Sequence, residues 1–170
     1  MLIFLSILIW LLSACKWADW KNWRHYYSTI LFFINGDLVY YVMTYNHPLW
    51  ELIASPVFNV TFTVLIIAFI AWPASVLLYL SLYPKSNEFL KILYVLKFVA
   101  FFTITELIIF QFDQIKYSNG WNILWSLGFN LLMFPLLKIH HEKPPLAWIL
   151  ALVLGSSVLY FFKIPLSSMK

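Results

Sequence analysis

The sequence predicts an all-α fold: a polytopic bundle of six transmembrane helices, or five if residues 1–15 do not span. Three observations predict it. Hydrophobic residues make up 63% of the 170 positions and charged residues only 11%, with a mean hydropathy of +0.84. A soluble domain usually carries roughly 25% charged residues, so this chain has too little charge to cover a water-facing surface. The apolar residues also come in long runs separated by short polar connections. Finally, nine Trp and ten Tyr suit a protein that meets two membrane interfaces, where a ring can sit in lipid and its polar atom in water. The net charge of +4 does not point to nucleic acid, because the basic residues are scattered singly between apolar runs and form no stripe.

The runs fall at about residues 1–15, 28–45, 60–82, 89–111, 121–138 and 145–163 of a single integral membrane domain. At about 1.5 Å per residue the third and fourth cross a ~30 Å hydrocarbon core, and the second, fifth and sixth are just long enough. The first reaches only about 22 Å, which is why a five-pass version stays open. Leu12-Ser13-Ala14-Cys15 resembles a lipoprotein processing site, but the segment starts Met1-Leu2-Ile3-Phe4 without a basic n-region. A retained helix is the expectation. Cys15 has no second cysteine to pair with in this chain.

Lys and Arg set the expected orientation. Lys16, Lys21, Arg24, Lys85, Lys91, Lys138 and Lys143 fall on one side of the bundle, against Lys116, Lys163 and Lys170 on the other. The first side is expected to be cytoplasmic, with both termini outside. Pro73 and Pro135 each remove a backbone donor within a helix and should kink or loosen it. The segment from Lys16 to Tyr27 places Trp17, Trp20, Trp23 and Tyr27 on one arc and reads as a short helix along the headgroups. His47 to Val60 is apolar for a loop and should lie in the outer interface or over the bundle.

Ionisable groups inside apolar runs point to chemistry, because an unpaired charge at the centre of a membrane helix costs about 2.5–3.5 kcal/mol on insertion scales. Asp37, Lys97 and Glu106 qualify. Asp37 and Lys97 lie about 12–13 Å in from the same side on the second and fourth helices, so an ion pair between them is expected. It would be either a packing clamp or a proton- or cation-responsive pair. Glu106 sits nearer the outer side with Thr103 one turn away, and the fifth helix brings Ser126 and Asn122 to a similar depth and Asn130 near the level of Asp37. Asp37, Lys97, Asn130, Ser126 and Glu106 thus form a candidate intramembrane polar site. Such a seam either bonds helices together or serves function.

His140-His141-Glu142 reads as a solvated turn before Pro144-Pro145, since adjacent helical histidines point about 100° apart and do not share an ion well. His47 reads as a lone loop histidine. No phosphate loop, zincin pair or Gly-x-Ser-x-Gly elbow is present, and no cofactor is expected.

Trp20-Lys21-x-Trp23, Tyr26-Tyr27-x-Thr29-x-Leu31-Phe32-Phe33, Gly36-Asp37-Leu38 and Tyr45-Asn46-His47-Pro48-Leu49-Trp50 form a distinctive set. Tyr83-Pro84-Lys85, Gly120-Trp121-Asn122-Ile123-x-Trp125-Ser126, Phe129-Asn130 and Met133-Phe134-Pro135-Leu136 follow. Together, over most of the chain from about residue 17, they resemble an uncharacterised family of short multi-pass membrane proteins from spore-forming Gram-positive bacteria. The resemblance implies a stand-alone small protein of the bacterial plasma membrane and carries no activity, ligand or catalytic residue with it.

Three functions are therefore expected to compete. The favoured one is a structural or accessory protein acting through helix contacts with a membrane partner or as a homo-oligomer. Against it stand a small transporter or ion-conducting subunit using the polar seam, and an intramembrane lipid-modifying enzyme with Glu106 or Asp37 as acid or base.

Overall fold

The computed structural model describes residues 2–54, 58–85, 87–165, 167 and 169. Met1 of the first run, residues 55–57 of the apolar loop and Lys170 of the charge tally lie outside the described residues. Six helices form: α1 (Leu2–Trp17), α2 (Trp23–Met43), α3 (Val60–Ser81), α4 (Glu88–Gln111), α5 (Ile123–Glu142) and α6 (Pro144–Phe161). Local chemistry fixes where several of them begin. Asn59, Asn87 and Asn122 each turn a side-chain oxygen onto the first free amides of α3, α4 and α5, those of Phe62, Phe89 and Leu124, at 2.7, 2.9 and 2.9 Å. Pro144 opens α6, where its missing N–H costs nothing.

Helices α3, α4, α5 and α6 are long and apolar enough to cross a membrane. The first two meet that standard only as a pair, joined by a bend of 93°. At 16 residues α1 is short, and α2 carries Arg24, His25, Asn35 and Asp37. The bend replaces the surface helix expected over Lys16–Tyr27. α1 runs on through Trp17, a 3-10 turn occupies Trp20–Asn22, and α2 starts at Trp23. Asp19 makes the break by accepting from the Asn22 backbone N–H and side-chain amide, while the Trp20 indole N–H donates to the Ala14 carbonyl at 2.7 Å. Trp17, Trp20, Trp23 and Tyr27 still face outward, and Lys16 and Arg24 lie over the Trp17 and Trp23 rings.

A two-stranded antiparallel ribbon joins the connections after α2 and α4: β1 (Trp50–Leu52) pairs with β2 (Ile115–Tyr117), Trp50 opposite Tyr117 and Leu52 opposite Ile115. The Tyr40 hydroxyl fastens it to α2, donating to the Trp50 carbonyl at 2.8 Å and accepting from the Trp50 amide at 2.9 Å. The apolar loop therefore packs over one end of the bundle. That end also holds the start of α1, through Ile3 and Gln114, and the finish of α6, through Phe162 and Trp121. At the opposite, basic end His25 of α2 packs against His141 of α5 and Lys138 lies over the Tyr83 ring, which brings together the connections that carry Lys16, Lys21, Arg24, Lys85, Lys91, Lys138 and Lys143.

The second half of α3 is the centre of the bundle. Every residue from Ala74 to Leu80 is buried, and Tyr79 and Phe134 are nearly inaccessible within a cluster that includes Trp10, Phe98 and Leu137. Upstream, Pro73 does not kink the helix sharply. A π-turn over Ile67–Ala71 widens it, and the Trp72 amide reaches back five residues to the Ile67 carbonyl. The wider turn relieves the clash between the proline ring and the preceding turn. By contrast, α4 and α6 expose large apolar side chains such as Phe89, Ile92, Leu152 and Val153, a surface suited to lipid.

Candidate intramembrane polar site

The structure divides the five candidate residues among three places. Three of them, Glu106, Ser126 and Asn130, lie along the α4–α5 contact. Ser126 donates its hydroxyl to Glu106 Oε1 at 2.5 Å, and the Tyr117 hydroxyl of β2 donates to the same oxygen at 2.9 Å. The Trp121 indole N–H in turn donates to Ser126 Oγ at 2.9 Å. Glu106 is thus the acceptor on which α4, β2 and the start of α5 converge. Burial, followed by the neighbouring Glu106 carboxyl, pushes the Tyr117 phenol above its usual range. Deeper along the same contact, Asn130 is buried and its amide donates to Thr103 Oγ1 at 3.2 Å.

Asp37 sits elsewhere. Its carboxyl lies on α2 facing the Trp72 side chain of α3, directly after the π-turn, and Phe33 one turn earlier packs its ring 5.1 Å from the Trp72 ring. Asp37 Oδ2 and Trp72 Nε1 are both buried and face one another, short of a well-formed hydrogen bond. A buried polar atom whose hydrogen bond is incomplete costs up to about 1–3 kcal/mol.

Lys97 departs furthest from expectation. The ion pair with Asp37 is not made: Lys97 is exposed on the outer face of α4. The buried stripe of α4 runs through Tyr94, Val95, Phe98, Val99 and Phe102, whereas Lys97 falls in phase with the outward Leu93, Phe101, Ile104 and Ile108. Rise per residue fixes distance along a helix but not rotation about it, and the Asp37 carboxyl turns into the bundle while Lys97 turns out.

The histidine segment is also corrected. His140 is not in a solvated turn but 3% exposed, stacked on Phe32 at 4.2 Å and sharing a 3.0 Å hydrogen bond between Nδ1 and Thr29 Oγ1. His141 packs against His25 and Tyr26. Among the described residues, no group of three or more His, Cys, Asp or Glu side chains could hold a metal ion.

No protein-family model, curated protein or solved structure matches this chain. The geometry holds side-chain bonds between helices, among them Glu106 to Ser126, Asn130 to Thr103, His140 to Thr29 and Tyr79 to the Phe134 carbonyl, together with the buried Asp37 carboxyl that faces Trp72 beside a π-turn. Neither Trp72 nor His140 belongs to the polar site that the sequence predicts, where His140 reads as part of a solvated turn. A tryptophan immediately before a mid-helix proline was the available signal for the first. For the second it was the buried stripe Ser126, Asn130, Met133, Phe134 and Leu137, which His140 continues at helical spacing.

Proposed function

We propose that this chain is a small multi-pass membrane protein that acts as a structural or accessory subunit through helix–helix contacts. The observation that carries the reading is that polar side chains between helices are bonded to one another across helix pairs, as with Glu106 and Ser126 or Asn130 and Thr103. Bonds of this kind hold membrane helices together. The broad exposed faces of α4 and α6 supply surface for a membrane partner or a second copy. The excess of Lys and Arg at the basic end supports a cytoplasmic placement of that end, with both termini outside. The family resemblance in the sequence supports a bacterial plasma membrane. Purified protein in proteoliposomes tests the reading: no ion flux above empty vesicles is expected, and a flux abolished by Glu106→Gln or Asp37→Asn would overturn it.

One observation favours the second reading, a small transporter or ion-conducting subunit. A buried carboxyl oxygen without a well-formed hydrogen bond is where a proton or small cation would be taken up, and π-turns often mark such positions. This makes a definite prediction for Asp37→Leu. Leucine replaces the buried carboxyl with an apolar side chain of similar size, so the bundle should become more stable by about 1 kcal/mol in detergent unfolding. Stabilisation without any functional change fits the accessory role. Stabilisation that abolishes a measured flux marks a strained functional residue.

A further inference from the structure

We infer that the outer face of α4 docks a transmembrane helix of another protein that carries a carboxylate at the depth of Lys97. The inference rests on the accessory reading and names the partner's chemistry. Lys97 is exposed in the middle of an apolar face formed by Leu93, Leu96, Phe101, Ile104 and Ile108. It lies nine residues, about 13 Å, from the first residue of α4. Lys91, six residues nearer the basic end, is paired with Glu88 at 2.6 Å. Lys97 makes no ion pair among the described residues. A lysine held at that depth against lipid is expensive, and a carboxylate at matching depth removes the cost by pairing with it.

A second copy of this chain does not supply that carboxylate. Glu106 accepts from Ser126 and Tyr117, and Asp37 turns its buried oxygen toward Trp72, both inside the bundle. Asp19, Glu88 and Glu142 lie at the basic end, and Glu51 and Asp113 at the ribbon end. The acid must therefore come from a different membrane protein, and its helix would lie along the Leu93–Ile108 face.

The experiment uses the full chain in phosphatidylcholine vesicles, donor-labelled at Cys15, which is exposed near the basic end. Acceptor-labelled, leucine-rich single-span peptides carry either Glu or Gln at the depth of Lys97, and energy transfer reports association. The Glu peptide is expected to bind at least about tenfold more tightly than the Gln peptide. Lys97→Met should erase the difference, and Lys97→Glu should shift the preference to a Lys-bearing peptide. Lys97 lies outside the buried stripe, so an unchanged detergent-unfolding midpoint confirms that each variant folds. Equal binding of both peptides, or a Glu preference that survives Lys97→Met, overturns the inference. So does a Glu preference that vanishes when phosphatidylglycerol is added, because a lipid phosphate then neutralises Lys97. Flux through the same vesicles would overturn the accessory reading, whereas missing Glu selectivity without flux overturns only the docking of an acidic helix.

Discussion

Replacing Tyr79 by alanine is expected to destabilise the bundle by about 3 kcal/mol, a larger loss than that expected for any other substitution considered for this chain. Tyr79 has no exposed surface and packs its ring within 5–6 Å of the rings of Tyr83, Tyr94, Phe98 and Phe134. Its hydroxyl donates to the Phe134 carbonyl at 3.0 Å, one residue before Pro135. In a bilayer the hydrophobic transfer term that dominates soluble cores is absent, because lipid tails are as apolar as the core. What remains is the cavity. Truncation removes roughly 100 Å³ of side chain, which at about 24 cal/mol per Å³ costs about 2.4 kcal/mol if the neighbours do not collapse. The lost hydrogen bond adds about 0.6 kcal/mol, a typical value between membrane helices. Tyr79→Phe should therefore lose only that smaller amount. Reversible unfolding in mixed micelles measures both, and a Tyr79→Ala loss below about 1 kcal/mol would mean that the α3–α4–α5 centre is loosely packed.

Much of the helical architecture was legible because apolar run length is a strong signal, and the asparagine caps at Asn59, Asn87 and Asn122 sharpen the boundaries. What could not be read was rotation. In a water-soluble helix the polar face fixes which side turns inward, but α4 is apolar almost all round, so its sequence carries no phase. That is why an inward Lys97 facing Asp37 could be expected from the sequence although the side chain turns outward. Glu106, Ser126 and Asn130 escaped this ambiguity, since each is a polar residue whose burial needs a partner, and depth brought suitable partners close. The ribbon was illegible for a different reason: strands of three residues are too short to show a period of two. His140 was misplaced because the adjacent Pro144-Pro145 suggested a turn, although the stripe from Ser126 to Leu137 continues through it.

Glu106→Leu should cost about 2 kcal/mol, and Glu106→Gln should cost less than about 1 kcal/mol, with different consequences for the two functional readings. Leucine fills the space but leaves the Tyr117 and Ser126 hydroxyls with no acceptor, which loosens the ribbon on α4 although the Tyr117–Phe110 ring stack remains. Glutamine keeps an oxygen that accepts both hydroxyls, so the network survives and only the acidic group is lost. If the protein acts through helix contacts, Glu106→Leu weakens assembly and Glu106→Gln leaves it as in the wild type. If Glu106 instead serves an ion path, Glu106→Gln stops flux while the unfolding midpoint barely moves. The pair of substitutions thus separates an acceptor that fastens helices from an acid that handles charge. A variant that is stable but inactive can only be the second.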